Sequence, residues 1–152
     1  MLKAQAREQA QQLQDLPNIG KAMPADLADF VARYCAAFNA LDGAAIAALY
    51  AVPSAIAHGS SYTHWTDAAA ITANMAALCT LYRDGGYVAA SYTVAHWWPQ
   101  GPDHAVLDVA WHITREGDLP PWQFHTGYNL LRGEHGWLVR LCTAYEEARL
   151  DA

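Results

Sequence analysis

ARYCAAFNALDGAAIAALYAVPSAIAHG, residues 32–59, decides the fold. With the residues before it, its first half puts Leu27, Phe30, Val31, Tyr34, Ala37, Phe38 and Leu41 at i, i+3, i+4, i+7 spacing. That spacing predicts a helix with one apolar face, starting after Pro24. Asp42 has the chemistry of a helix N-cap, so a second short helix is expected to end near Tyr50. Residues 52–58 then read as a short strand that Pro53 would hold at a sheet edge. The stretch closes on His58 and Gly59, and an apolar pocket would begin at the histidine.

Outward from this stretch the pattern changes twice. Thr66 is the expected cap of a third helix in which Ile71, Met75, Leu78 and Tyr82 share a face, with Gly85 ending it. From Tyr87 the period becomes two, and four strands are predicted over 87–98, 104–115, 122–132 and 137–146. The breaks PQGPD, REGDLPP and RGEHG carry Gly, or Gly with Pro, so an antiparallel meander is the simplest topology. Helices followed by strands give an α+β class: a curved antiparallel sheet wrapped around three helices. Residues 1–23 read as a helical arm and linker lying over a groove, and 24–152 as one domain.

Composition narrows the function. The chain has 152 residues, 53% hydrophobic and 16% charged, enough to bury a core without metals or disulfides. A formal charge of -6 with nine scattered basic residues argues against a nucleic-acid partner. No apolar run approaches the roughly 20 residues of a membrane span, and no secretory leader opens the chain, so neither membrane insertion nor export is expected. Cys35, Cys79 and Cys142 are an odd, widely spaced set, which predicts buried free thiols and a reduced, cytoplasmic setting. The seven histidines form no HxH or HExxH pattern, so no metal and no cofactor is expected.

Alternation along the strands selects the face that would line a pocket. On the last strand Trp137, Val139, Leu141, Thr143 and Tyr145 form the less charged set. A tight RGEHG hairpin matches them to Phe124, Thr126, Tyr128 and Leu130. Carried across REGDLPP, the parity places Asp108, Ala110 and His112 inward, with Asp108 opposite Tyr128 and His112 opposite Phe124. One β-bulge would exchange these faces. So many polar groups suit a concave pocket with aromatic walls better than a filled core. Trp97 and Trp111 would then lie outside as an apolar patch favouring a sheet-to-sheet homodimer, with Trp98 and Trp122 at the pocket rim.

These elements resemble, over residues 25–146, the nuclear transport factor 2-like superfamily of cone-shaped α+β proteins. That superfamily includes SnoaL-like cyclases, scytalone dehydratase and ketosteroid isomerase. Ala32-Arg33-Tyr34, Leu49-Tyr50, the strand to His58, Glu134-His135-Gly136 and Ala144-Tyr145 are similar to segments of the isomerase. The resemblance puts the isomerase's hydrogen-bonding tyrosine at Tyr34. It places His58 where the isomerase has its aspartate base, and Tyr128 where it has the protonated aspartate of its oxyanion hole.

The resulting expectation is a site for a small hydrophobic molecule. His58 is the base, Tyr34 and Tyr128 are donors, and Asp108 and His112 support them. Phe38, Tyr50, Trp65, Met75, His96, Trp98, Phe124, Thr126, Leu141 and Tyr145 would contact the ligand. Two functions remain open: a cofactor-independent lyase or isomerase, and a non-catalytic ligand-binding or dimeric assembly domain of the same fold.

Overall fold

The computed structural model describes residues 3–8 and 22–145. Its elements are α1 (residues 3–8), α2 (Ala25–Asn39), α3 (Gly43–Ala47), β1 (Tyr50–His58), β2 (Ser61–Trp65), α4 (Ala68–Asp84), β3 (Tyr87–Gln100), β4 (His104–Arg115), β5 (Trp122–Gly133) and β6 (Gly136–Tyr145). Helix α1 is solvent-exposed, and most of the expected N-terminal arm lies outside the described residues.

Helix α2 follows Pro24 and buries Leu27, Phe30, Val31, Tyr34 and Phe38, the face that the spacing predicts. Leu41 turns the chain at φ 48°, and Asp42 caps α3 by accepting the Ala45 N–H at 3.0 Å. Gly43 lets α3 sit directly on α4, because a Cβ there would lie 2.8 Å from the Ala76 nitrogen. The cap of α4 is Asp67 rather than Thr66: its carboxylate accepts the Ala70 N–H at 2.8 Å.

The six strands among the described residues form one open, curved sheet in the order β2-β1-β6-β5-β4-β3. The β3–β6 part is the expected antiparallel meander. The first half gains one strand and has one reading corrected. Residues 61–65, which no pattern assigned to an element, form strand β2, paired antiparallel with β1. Strand β1 is not at an edge, since it also runs parallel to β6. Pro53 is tolerated there because pairing with β6 is interrupted between Tyr50 and Ala55, and pairing with β2 starts at Ser54. The amide hydrogen that proline lacks is therefore not needed.

The inner face also differs from its expected parity. Leu107, not Asp108, stands opposite Tyr128, while Asp108 faces Gly127 and His112 faces Gln123. The β4–β5 register is one residue away from the expected pairing, and a shift of one turns every side chain over. Ala105, Leu107, Val109, Trp111 and Ile113 consequently form the buried set of β4. Their apolar area outweighs that of Ala110 with two polar neighbours. Asp108, Ala110 and His112 lie on the outer face.

A bulge at Arg140 divides β6: Leu130 pairs with Val139, but Asn129 pairs with Leu141. Trp137 and Val139 point inward as expected. Beyond the bulge Cys142 and Ala144 take the inner face, and Leu141, Thr143 and Tyr145 turn outward. A second irregularity, between Val94 and His96, pairs Trp97 with Leu107 and packs it against the core. Trp97 and Trp111 are thus inner residues, not an outer patch. His96 and Trp98 are the outer pair, their rings stacked at 5.4 Å.

Candidate functional site

A cavity of about 300 Å³ lies between α2, α4 and the concave face of the sheet. Helix α2 supplies Tyr34 and Phe38. Strands β1 and β2 supply Tyr50, Ile56, His58, Thr63 and Trp65, and α4 supplies Asn74, Leu78 and Tyr82. The meander completes the wall with Tyr87, Ala90, Trp111, Ile113, Phe124, Thr126, Tyr128, Cys142 and Ala144. No Asp, Glu, Lys or Arg stands among these lining residues.

A polar seam crosses this aromatic lining. The Tyr34 and Tyr50 hydroxyls share a hydrogen bond of 2.8 Å. The Trp111 indole N–H donates to the Tyr128 hydroxyl at 3.1 Å. Indole nitrogen can only donate, so the Tyr128 oxygen accepts from it, while the same phenol also hydrogen-bonds the Tyr34 hydroxyl. The Tyr34 ring stands edge-on to that of Tyr128, with centroids 5.1 Å apart. Burial, reinforced by the neighbouring phenol and the Cys142 thiol, pushes the pKa values of Tyr34, Tyr50 and Tyr128 well above the ordinary tyrosine range. All three are neutral donors at any physiological pH. Burial likewise pushes the Cys142 thiol up to about 12, which makes it an inert wall atom rather than a nucleophile.

His58 stands at the rim, exposed to solvent yet part of the cavity lining. It closes β1 at the β1–β2 turn, opposite Ser61 on one side and Ala144 on the other. Ile56, two residues earlier, shares its inward side. The cavity therefore carries its polar groups in two places: neutral hydroxyls along the buried wall, and an imidazole with Thr63 and Asn74 elsewhere in the lining.

The sequence-predicted residues divide cleanly. Tyr34, His58, Tyr128, Phe38, Tyr50, Trp65, Phe124 and Thr126 line one cavity. Met75 is fully buried core and does not line it. Asp108, His112, His96, Trp98, Leu141 and Tyr145 are on the opposite side of the sheet, for the register reasons given above. There Asp108 accepts the Tyr145 hydroxyl and meets His125 Nδ1 at 3.3 Å. The main residue missed is Trp111, whose place was signalled by alternation in AVLDVAWHI once the bulkier set is taken as inner. Thr63 lies on the short, largely exposed SYTHW, which carries little periodic signal, and Cys142 depends on the Arg140 bulge, which leaves none. Among the described residues, no group of three His, Cys, Asp or Glu side chains is placed to hold a metal.

Residues 25–147 match the family described as NTF2-like protein (DUF6841). The chain belongs to this NTF2-like family. No curated protein matches it. Solved structures place the NTF2-like chain among similar folds. One is a domain of unknown function with a cystatin-like fold from Nostoc punctiforme: 16% identity, TM-score 0.67, covering 85% of this chain and 82% of that one. A ketosteroid isomerase-like protein from Erwinia carotovora atroseptica has 16% identity and TM-score 0.61, over 79% and 92%. A putative aromatic ring hydroxylase from Novosphingobium aromaticivorans has 14% identity and TM-score 0.58, over 81% and 90%. At such identities the likeness establishes the fold alone.

Proposed function

We propose that this NTF2-like protein binds a small, uncharged, hydrophobic carbonyl compound in its cavity and acts on it as a cofactor-independent isomerase or dehydratase. One observation carries the reading: His58, Tyr34 and Tyr128 line the same aromatic hollow. A ligand carbonyl at the buried hydroxyls receives a hydrogen bond from a neutral phenol that stays protonated. Neutral His58 removes a proton from the carbon beside that carbonyl, and the negative charge develops on the oxygen held by the phenols. The resulting imidazolium then returns the proton to another carbon, which is isomerisation. Alternatively it protonates a β-hydroxyl as that group leaves as water, which is dehydration. Asp108 and His112 have no part in this scheme, because they face away from the cavity.

The same reading includes a homodimer through the outer face of the sheet, where Trp98 and Tyr145 are 36% and 37% exposed. The three free cysteines accord with a reducing, cytoplasmic setting.

The test is exchange of the α-protons of 2-tetralone in deuterated buffer, followed by NMR. The wild-type protein should accelerate exchange, and His58→Ala should remove the acceleration by about a hundredfold or more while still binding the ketone. Binding without acceleration in the wild type would leave a ligand-binding protein and end the catalytic reading.

A further inference from the structure

Tyr82 and Phe124 belong to the walls of two hollows at once: the inner cavity and a surface cleft of about 510 Å³ beside it. Leu81, Asp84 and Trp122 form much of the cleft's remaining wall. We propose that Tyr82 is the specificity-determining residue of the inner cavity, a partition that limits the length of the ligand it accepts. This inference rests on the ligand-binding reading above.

The Tyr82 ring is braced from three directions. It stacks on Tyr87 with centroids 5.7 Å apart and planes 8° from parallel, and meets Phe38 at 5.9 Å and Trp122 at 5.5 Å. Trp122 is itself pinned by the Arg115 guanidinium, 4.2 Å from its ring centroid. Arg115 is anchored in turn by donating to the Gly85 carbonyl at 2.8 Å. A close-packed cluster does not yield to a methylene chain without losing contacts on several sides. The inner cavity therefore selects a compact ring ketone, and any chain that runs toward α4 is stopped at Tyr82. With the ring removed, the two hollows become one trough. The extra chain would then lie against Trp122 and Leu81, the latter 65% exposed.

Calorimetric titration with phenyl alkyl ketones of increasing chain length, starting from acetophenone, tests this. In the wild type, affinity should rise about fourfold per added methylene and then fall at least tenfold over the next few carbons. Tyr82→Ala should abolish the fall, and Tyr82→Phe, which keeps the ring, should keep it. Tyr82→Leu opens the same wall with less loss of packing, and Phe124→Ala opens it from the opposite element; both should also extend the accepted length. An identical cut-off in the wild type and the opened variants, or no cut-off in the wild type, overturns the proposal while leaving the ligand-binding reading intact. Failure of the short ketones to bind the wild type at all overturns both.

Discussion

Trp111 on β4 donates its indole N–H to the Tyr128 hydroxyl of β5 in a buried 3.1 Å hydrogen bond, so the phenol oxygen is the acceptor of that pair. Trp111→Phe keeps most of the packing but leaves the Tyr128 oxygen with one partner fewer. The expected result is a loss of about 1–3 kcal/mol in denaturant unfolding. Weaker ketone binding should accompany it, with the secondary structure unchanged by circular dichroism.

The Tyr34–Tyr50 hydrogen bond joins α2 to β1. A double-mutant cycle with Tyr34→Phe and Tyr50→Phe should return a coupling energy of about 1 kcal/mol, the usual size for a buried neutral pair. Additive losses would mean that the two hydroxyls do not support one another.

Alkaline pH provides a separate handle on the same phenols. Tyr34, Tyr50 and Tyr128 hold their protons more tightly folded than unfolded, because burial disfavours the phenolate. Above about pH 10 the unfolded chain binds fewer protons than the native one, so stability is full below that pH and falls as pH rises. Each phenol contributes a slope of up to about 1.4 kcal/mol per pH unit. Replacing any one of them by Phe should flatten the alkaline limb of the stability curve by about that amount.

Asp108 separates the two faces of the sheet. Asp108→Asn disturbs its contacts with Tyr145 and His125 on the outer side and touches nothing in the cavity. Ketone affinity and exchange rate should stay within about twofold of wild type, whereas Tyr128→Phe should lower both. A loss of binding in Asp108→Asn comparable to that in Tyr128→Phe would return the carboxylate to the site.

Gly43 offers a purely structural check. A methyl group there would press on the Ala76 backbone, 2.8 and 2.9 Å from its nitrogen and Cα. Backbone cannot swing aside as a side chain can, so Gly43→Ala should destabilise the protein by about 1–3 kcal/mol, despite alanine's better helix propensity.

Where the sequence was informative, the signal was local and periodic. The α2 face from Leu27 to Phe38, the Asp42 cap and the four long strands all follow from spacing within one element. The site was legible to the extent that it depends on those elements: Tyr34 by helical spacing, and Tyr128 by alternation next to a tight hairpin. Asp108 and His112 were misplaced because their orientation depends on counts carried between strands, and Leu141 and Tyr145 because a bulge inverts the alternation within β6. The β4–β5 register and the Arg140 bulge each change that count by one, and neither is encoded in any single strand's pattern. Strand β2 escaped notice because SYTHW is short and largely exposed, so hydrophobic periodicity had little to act on.

The central claim is that a ligand oxygen meets the buried phenols while His58 faces the adjacent carbon. A crystal structure with 2-naphthol, whose phenolate oxygen and C1 mimic the enolate of 2-tetralone, tests it most directly. The naphthol oxygen should lie within about 3 Å of the Tyr128 or Tyr34 hydroxyl, with the His58 imidazole over C1. A naphthol bound with its oxygen at the His58 rim, or with His58 turned away to solvent, would contradict it.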